Sequence, residues 1–192
     1  MYSIDKIYEK EIIIQKSRFI CLLVPINNND IKDIISNIKS KYKGATHYCY
    51  AYITKYTEKY NDDGEPSGTA GNPILTVLKR KHLVNVLAVV IRYFGGIKLG
   101  AGGLIRAYTN SVTECLSISN IIEVEDSISI EIICSYENIN SIFKIVDEKY
   151  IKEKKYEDNI NLLIYIPMKN YELIKNSLES LSISIIEKKE SD

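Results

Sequence analysis

The sequence predicts an α+β protein with two domains, residues 1–125 and 126–192. Runs rich in β-branched and aromatic residues, typical of strands, alternate with stretches in which isoleucine or leucine recurs at helical spacing. All glycines lie at or before Gly103, so the composition of the chain changes after its first half. The two parts also differ in charge. Residues 1–125 carry 16 Lys and Arg against 12 Asp and Glu, and residues 126–192 carry 9 against 13.

The first domain begins with two strands joined by a turn near residues 15–17, and Pro25 ends the second strand. A helix follows over 27–44, with Asn or Asp at its start and Gly44 at its end. Residues 45–54 alternate in the manner of a strand. One face of that strand carries His47, Cys49, Ala51 and Ile53, and the other carries Tyr48, Tyr50 and Tyr52.

The sequence of the rest of the first domain predicts a helix, a strand, a second helix and a last strand. The short first helix has Asn72 as its N-cap and Pro73 at its first helical position. The apolar run at 83–94 is typical of a strand buried on both faces. Residues 104–117 predict an amphipathic helix, and a strand near 121–124 ends the domain. The apolar stripe of that helix consists of Leu104, Tyr108, Val112 and Cys115.

The second domain follows the order β-α-β-β-α-β, which is the ferredoxin-like arrangement. We see no catalytic constellation in it. In each of its two helices, the spacing of apolar residues predicts four inward-facing side chains. These are Ile139, Ile142, Phe143 and Val146 in the first helix, and Tyr171, Ile174, Leu178 and Leu181 in the second.

Composition excludes several classes of protein. The four cysteines contain no Cys-x-x-Cys pair, which argues against a zinc site and against a disulfide framework. The charged N-terminal segment has no signal-peptide core, and no apolar stretch is long enough to span a membrane. We therefore expect a cytoplasmic protein with no membrane partner, no metal and no cofactor; its oligomeric state stays open.

A polar loop, "NDDGEPSGTAGNP", occupies residues 61–73. Its carboxylates Asp62, Asp63 and Glu65 do not have the spacing of an EF-hand, and they could serve instead as an acid and a base. Ser67 and Thr69 are candidate nucleophiles, but no Gly-x-Ser-x-Gly elbow surrounds them. A further pair, His47 and Cys49 on one strand face, is compatible with catalysis or with simple core packing.

A second loop, "GGIKLGAGG", places five glycines within nine residues, at Gly95, Gly96, Gly100, Gly102 and Gly103. It lacks the Lys-Ser/Thr pair of a phosphate-binding Walker A motif and the third glycine of the dinucleotide motif. Two interpretations stay open. The loop is either an anion site made of backbone amides with Lys98 and Arg106 nearby, or a place where strand, loop and helix pack tightly together.

Arginine is rare in the chain, with four residues against 21 lysines, and all four lie in the first domain. Such placement indicates bidentate contacts that lysine makes poorly. Arg92 or Arg106 is expected either to bind a ligand or to clamp a carboxylate of the polar loop. Arg18 and Tyr93 lie beside these motifs. The tyrosines near the arginines are compatible with stacking on nucleic-acid bases or with packing beneath the helices.

Four blocks, in order, resemble the IMPACT/YigZ family: "KSRFI" at 16–20, "ATHYCYAY" at 45–52, "DDGEPSGTAG" at 62–71 and "RYFGGIKLGAGGLIRAY" at 92–108. The sequence departs from the family pattern at Tyr48, where an Asn is usual. Carried over by position, the shared surface consists of Asp62, Asp63, Glu65, Pro66, Ser67, Gly68, Thr69, Arg92, Tyr93, Gly95, Gly96, Lys98, Gly100, Gly102, Gly103 and Arg106, with His47 and Arg18 as secondary candidates.

The resemblance implies a first domain folded like the second domain of a small-subunit ribosomal protein, and a ferredoxin-like second domain similar to the last domain of elongation factor G. It also implies a link to translation, because eukaryotic relatives regulate initiation. They do so with an additional N-terminal module; the present chain starts at the shared domain, so that partner is not expected.

We interpret the two loops as walls of one cleft. The leading hypothesis is a non-catalytic regulatory protein that binds RNA, the ribosome or a translation factor there. The alternative is a small-ligand-binding protein or a hydrolase acting on a phosphate- or peptide-containing substrate in the same cleft. A third possibility is an adaptor whose acidic second domain docks a partner.

Overall fold

A computed structural model describes residues 1–26, 31–181, 183 and 185–188. It confirms the α+β class predicted from the sequence. The chain divides into two compact units, Met1–Val124 and Glu125–Asp192, called unit 1 and unit 2 below. The predicted boundary lies one residue further along the chain. No helix in the described parts of the chain is both long and apolar enough to cross a membrane.

Unit 1 combines seven strands with three helices in its described residues. In chain order these are β1 (Tyr2–Ile4), β2 (Tyr8–Ile14), β3 (Ser17–Pro25), α1 (Ile31–Lys41), β4 (His47–Ile53), β5 (Glu58–Asn61), α2 (Gly71–Arg80), β6 (Val86–Tyr93), α3 (Gly100–Ser117) and β7 (Ile121–Glu123).

The main sheet of unit 1 has five antiparallel strands in the order β2-β3-β6-β4-β5, and β1 pairs separately with β7. In the register of the main sheet, Arg92 of β6 lies between Phe19 of β3 and His47 of β4. The start of β3, the start of β4 and the end of β6 therefore meet at one end of the sheet. Because the loop at 94–99 leaves from there, we call it the glycine-loop end.

Two apolar cores lie on opposite faces of this sheet. Helices α2 and α3 cover one face, where Cys21, Cys49 and Val90 of the strands meet Ile74 of α2 and Tyr108 of α3. Helix α1 lies on the other face, where Ile38 is buried against β3 and β6 and the side chains of Tyr48, Tyr50, Tyr52 and Tyr93 are partly buried. Strand β6 is buried along nearly its whole length because helices cover it from both sides, as its apolar sequence predicts.

Unit 2 consists of β8 (Ser127–Cys134), α4 (Ile139–Ile145), a 3-10 turn (Glu148–Tyr150), β9 (Ile151–Tyr156), β10 (Ile160–Pro167), α5 (Met168–Ser180) and β11 (Ile185–Lys188). Its sheet is antiparallel with the order β11-β8-β10-β9. This order and the β-α-β-β-α-β succession confirm the ferredoxin-like arrangement. Ile142 and Leu178 contribute buried side chains from the two helices.

Several local predictions were wrong. Phe143 and Leu181, expected to face the core of unit 2, are 39% and 42% exposed. Helix α2 starts at Gly71, so Asn72 lies inside it rather than at its N-cap. Strands β1 and β5 were not predicted, because β1 has only three residues and β5 has four exposed ones. The predicted start of α1 at 27–30 lies outside the described residues.

Candidate functional site at the glycine-loop end

Asp62 organises the polar loop that connects β5 to α2. One carboxylate oxygen accepts hydrogen bonds from the amides of Ala70 (3.0 Å) and Gly71 (2.8 Å), and the other accepts from the amide of Gly68 (2.9 Å). Ala70 has no side chain that could cap the helix. Asp62 therefore acts as the cap of α2 from eight residues upstream, which explains how the helix begins before Asn72.

Asp63 ties the same loop to β4 and α1. Its carboxylate accepts from the amide of Tyr48 (2.7 Å) and from Lys39 Nζ (3.2 Å). Its carbonyl oxygen lies 2.8 Å from Nδ1 of His47, and since a carbonyl only accepts, Nδ1 carries the proton. In the neutral ring, Nε2 then holds the lone pair. Nε2 lies 3.9 Å from Oε2 of Glu65.

Glu65 is a buried carboxylate, and its side chain is only 4% exposed. Its Oε1 atom accepts from Arg92 Nη1 (2.6 Å) and from the hydroxyl of Tyr108 (2.7 Å). The predicted clamp between an arginine and a carboxylate of the polar loop is thus confirmed for Arg92 and Glu65. This contact fixes the loop to β6 and α3 together.

Arg92 itself lies in an apolar setting. Its guanidinium carbon is 5.3 Å from the ring centroid of Phe19 and 5.4 Å from that of Phe94, distances typical of cation–π contacts. Nη2 is 3.5 Å from the hydroxyl of Ser17. Nε is buried and hydrogen-bonds to none of the described residues. One carboxylate therefore supplies most of the compensation for this buried charge.

Cys49 does not pair with His47. Its Sγ donates to the carbonyl of Asp62 (2.9 Å) and lies 3.4 Å from the hydroxyl of Tyr108. Burial raises the pKa of the Cys49 thiol to about 12, so the thiol stays protonated at neutral pH. Burial likewise raises the pKa of Tyr108, which keeps its hydroxyl a donor to Glu65. These properties favour the core interpretation of Cys49 over that of a nucleophile.

The hydroxyl candidates of the polar loop separate into a structural and an exposed one. Thr69 is buried, and its hydroxyl donates to the carbonyl of Pro66 (2.6 Å), which closes a local turn. Ser67 is exposed and hydrogen-bonds to no described residue. No base lies against either hydroxyl among the described contacts. The loop therefore shows no activated hydroxyl nucleophile in its described contacts.

The glycine loop lies directly on the turn between β2 and β3. A Cβ atom placed on Gly95 would lie 2.0 Å from the carbonyl carbon of Lys16, so only glycine fits there. The amide of Gly95 donates to Ser17 Oγ (3.1 Å), and the amide of Phe94 donates to Thr46 Oγ1 (3.1 Å). The tight-contact interpretation thus holds for Gly95.

The other glycines of this loop meet no backbone atom as closely as Gly95 does. Gly96 and Gly100 have positive φ angles, and nothing lies within 4 Å of their would-be Cβ atoms. Gly102 and Gly103 belong to the first turn of α3, whose N-cap residue, Leu99, makes no side-chain capping bond. The first amides of α3 are therefore not capped by a side chain of the helix start.

Lys98 and Arg106 are exposed, and neither forms a hydrogen bond or an ion pair with a described residue. A Cβ on Gly102 would lie 3.7 Å from Arg106 Nη1, so the guanidinium extends along the first turn of α3. Arg106 and Tyr108 are two residues apart, which places them on opposite sides of the helix. The structure therefore brings Tyr108, and not Arg106, to Glu65.

Arg18 and Tyr93 form a separate group on the other face of the sheet. The guanidinium of Arg18 binds Glu11 through two hydrogen bonds of 2.9 Å and lies 5.2 Å from the ring centroid of Tyr93. The hydroxyl of Tyr93 donates to the carbonyl of Lys43 (3.3 Å). The hydrogen bond from Arg18 lowers the pKa of Glu11 below its usual range.

Sequence reasoning missed three residues whose side chains make the contacts described above. Tyr108 was assigned to the apolar stripe of α3, and Ser17 and Lys39 were not singled out. Only Tyr108 carried a usable signal, because a tyrosine in a buried stripe needs a partner for its hydroxyl. Within the described residues, no group of three or more His, Cys, Asp or Glu side chains is placed to hold a metal ion.

The fold and this network define a two-unit α+β protein whose first unit holds its polar loop to β6 and α3 through a buried Glu–Arg–Tyr cluster. Residues 15–116 match the Impact N-terminal domain. The chain belongs to the IMPACT family. It is 41% identical over 174 residues to IMPACT family member YvyE of Bacillus subtilis, a match that covers 88% of this chain and 80% of the relative.

Two further comparisons extend the similarity over nearly the whole chain. An IMPACT family member of Haemophilus influenzae is 37% identical over 186 residues, covering 92% of this chain and 88% of the relative. The crystal structure of a hypothetical protein superposes with a TM-score of 0.73 at 25% identity, covering 99% of this chain and 98% of that one. The family resemblance inferred from the four sequence blocks is thus confirmed.

Proposed function

We propose that the protein is a cytoplasmic, translation-associated RNA-binding protein, and that unit 1 contacts RNA phosphates at the glycine-loop end. The observation that carries this proposal is that the cationic side chains there lack partners while the carboxylates have them. Lys98 and Arg106 are exposed and unpaired among the described residues. The neighbouring carboxylates are already engaged by Lys39, Arg92 and backbone amides. The end of the sheet therefore presents free positive charge.

Two further features support an anionic ligand of extended shape. The first turn of α3 lies at the positive end of the helix dipole and has no side-chain cap. Phe94 and Ile97 are 46% and 41% exposed beside these cations. An aromatic and an apolar side chain next to a cationic strip suit single-stranded RNA, whose bases stack on exposed rings while its phosphates meet Lys and Arg. The link to translation rests on the family resemblance.

The experiment measures binding of a fluorescently labelled single-stranded RNA to the full chain over a range of salt concentrations. We expect the Lys98→Ala/Arg106→Ala double variant to bind more weakly at every salt concentration. Its log–log salt slope should fall by about 1.4, since each of two phosphate contacts to a single strand contributes roughly 0.7.

The matched control removes the same charge elsewhere in unit 1. Arg80 and Lys81 are exposed at the C-terminal end of α2, which precedes the start of β6 and so lies away from the glycine-loop end. The Arg80→Ala/Lys81→Ala variant should bind like the natural protein. Equal losses in the two double variants would show only unspecific charge attraction. Absence of RNA binding at low salt would refute the proposal.

The association with translation is tested separately by sedimentation of the tagged protein with ribosomes, with and without ribonuclease. Co-sedimentation that ribonuclease abolishes supports binding through RNA, and co-sedimentation that survives it points to a protein partner. A protein that stays at the top of the gradient in both samples would contradict a ribosome-bound role.

A second function, hydrolysis, is favoured by one contact. With Nδ1 donating to the carbonyl of Asp63, the other ring nitrogen of His47, Nε2, lies 3.9 Å from Glu65 Oε2. A water molecule or hydroxyl group that donated hydrogen bonds to both His47 Nε2 and Glu65 Oε2 would be activated by two bases. If this pair is catalytic, the RNA recovered from the binding assay should be cleaved, and His47→Gln should leave it intact while binding continues. Intact RNA in the presence of the natural protein counts against RNA hydrolysis.

A further inference from the structure

A cavity of about 680 Å³ lies on the α1 side of the main sheet, between α1, strand β4 and the edge strand β5. We call it the tyrosine cavity. Its volume falls in the range of ligand-binding clefts, roughly 300 to 1,000 Å³. It is lined by Ile31, Lys32 and Ile35 of α1, Tyr50 and Tyr52 of β4, and Glu58, Lys59 and Tyr60 of β5. None of these residues belongs to the glycine-loop end.

The tyrosine hydroxyls of the cavity are not used by the fold. Those of Tyr50 and Tyr52 form no hydrogen bond with a described residue. The contrast with other tyrosines of unit 1 is clear. The hydroxyl of Tyr48, next along the same face of β4, donates to the carbonyl of Tyr42 (2.6 Å), and that of Tyr42 donates to Glu9 (2.7 Å). The cavity thus combines flat aromatic walls with free hydrogen-bonding groups.

The charge of the cavity favours an anion. Glu58, its one acidic lining residue, is paired with Lys79 of α2 at 2.7 Å. Lys59 is exposed and pairs with no described residue. Lys59 stands directly opposite Tyr52 in the β4–β5 register, and opposed residues of antiparallel strands share a face. A free ammonium group therefore stands beside an aromatic ring at the mouth of the cavity.

We propose that the tyrosine cavity binds a nucleotide. The base would lie against the rings of Tyr50 and Tyr52 and under the isoleucines of α1, with its polar edge toward the free hydroxyls. Its phosphate would meet Lys59. This combination of a planar ring, edge donors and acceptors, and a negative group matches what the cavity supplies. The nucleotide is either a free mononucleotide or one residue of a single-stranded RNA, and both have the same binding chemistry.

The experiment titrates the full chain with each of the four ribonucleoside monophosphates by calorimetry, and with ribose 5-phosphate and inorganic phosphate as ligands that lack a base. A parallel arm uses a short single-stranded RNA. We expect at least one nucleotide to bind and the two ligands without a base to bind far more weakly, because stacking on the tyrosines requires the base.

Three variants test the assignment of the site. Tyr52→Leu removes the aromatic face and should weaken nucleotide binding by about tenfold or more, in line with the effect of losing one base–aromatic stack. Tyr52→Phe keeps the ring and should weaken binding by only about fivefold, through the hydroxyl alone. Lys59→Ala should weaken nucleotide binding by about tenfold, because it removes a charge-assisted contact.

Matched controls come from the same unit. Tyr2 is exposed and its hydroxyl hydrogen-bonds to no described residue, and Lys81 is an exposed lysine directly after α2. Tyr2→Leu and Lys81→Ala should bind nucleotide like the natural protein. Circular dichroism and melting temperature of each variant establish that its fold is retained.

Binding of mononucleotides that depends on Tyr52 and Lys59 supports the proposal with a free nucleotide as ligand. Binding of the short RNA alone, with the same dependence, supports it with RNA as the source. No binding of either at millimolar concentration, or binding that Tyr52→Leu and Lys59→Ala leave unchanged, overturns it. The proposal is independent of the RNA-binding function, since the Lys98→Ala/Arg106→Ala variant should retain mononucleotide binding.

Discussion

Glu65 and Arg92 form a 2.6 Å ion pair in which the side chains are only 4% and 6% exposed. One belongs to the polar loop and the other to the central strand β6, so the pair joins the two sequence motifs inside the molecule. Removing one partner of a buried pair leaves an uncompensated charge, which is far more costly than losing a surface salt bridge.

We therefore expect Glu65→Ala to lower the free energy of unfolding by about 3 to 5 kcal/mol, measured by urea denaturation followed by circular dichroism. Tyr108→Phe removes one hydrogen bond to the same carboxylate and leaves Arg92 paired. It should cost about 1 to 2 kcal/mol. A Glu65→Ala loss no larger than that of Tyr108→Phe would show that the ion pair does not stabilise the fold as described.

Asp62→Ala should destabilise the start of α2. The substitution leaves the amides of Gly68, Ala70 and Gly71 without their acceptor, at a cost of about 2 kcal/mol. The local readout is amide hydrogen exchange by NMR, in which Ala70 and Gly71 should exchange faster than in the natural protein. Asp62→Asn keeps one carbonyl oxygen and should show an intermediate effect. Unchanged exchange at both amides would contradict the capping role.

Gly95 and Gly96 provide a matched pair for the backbone contact. A Cβ on Gly95 meets the backbone of Lys16 at 2.0 Å, whereas Gly96 has φ +85° with open space around it. Gly96→Ala should therefore cost about 1 kcal/mol from its backbone conformation alone. Gly95→Ala should cost more, about 3 kcal/mol or beyond, because the turn between β2 and β3 must shift. Equal losses in urea denaturation would mean that the loop moves without cost.

The sequence was sufficient to predict most elements of the fold, because hydrophobic periodicity determines which face of each strand and helix is buried. It predicted β6 as doubly buried and the order of elements in unit 2. It did not predict β5, because the four exposed residues of this strand show no alternating pattern. Pairing with β4 holds β5 in place. The misassigned Phe143 lies at the edge of the apolar stripe of α4, where a small rotation of the helix decides burial, and Leu181 lies just past the end of α5.

The site was only partly predictable. An arginine–carboxylate clamp followed from the rarity of arginine, but which arginine takes part depends on the rotation of α3. Since Tyr108 faces the sheet, Arg106, two residues earlier, faces away from it. The role of Asp62 as a remote helix cap was not readable either, because it depends on how the loop at 61–71 folds back on itself. The tyrosine cavity likewise depends on the placement of α1 over β4.

The last prediction concerns alkaline pH. Burial raises the pKa of Cys49 from 9.0 to about 12 in the folded protein, while an unfolded chain titrates this thiol near its ordinary value. Between these two values the unfolded state releases the proton and the folded state keeps it. The contribution of Cys49 to stability is therefore complete below pH 9 and is lost as the pH rises toward 12. The slope is up to about 1.4 kcal/mol per pH unit.

Cys49→Ala removes this titration, so its free energy of unfolding should fall less steeply with pH than that of the natural protein above pH 9. Urea denaturation at a series of pH values, with a phosphine reductant present to prevent oxidation, measures both curves. Between pH 6 and 8 the curves should run parallel, because the thiol is protonated in both states there. Curves that stay parallel above pH 9 would mean that the folded protein releases the Cys49 proton as readily as the unfolded chain, and that water reaches the core between β4 and α3.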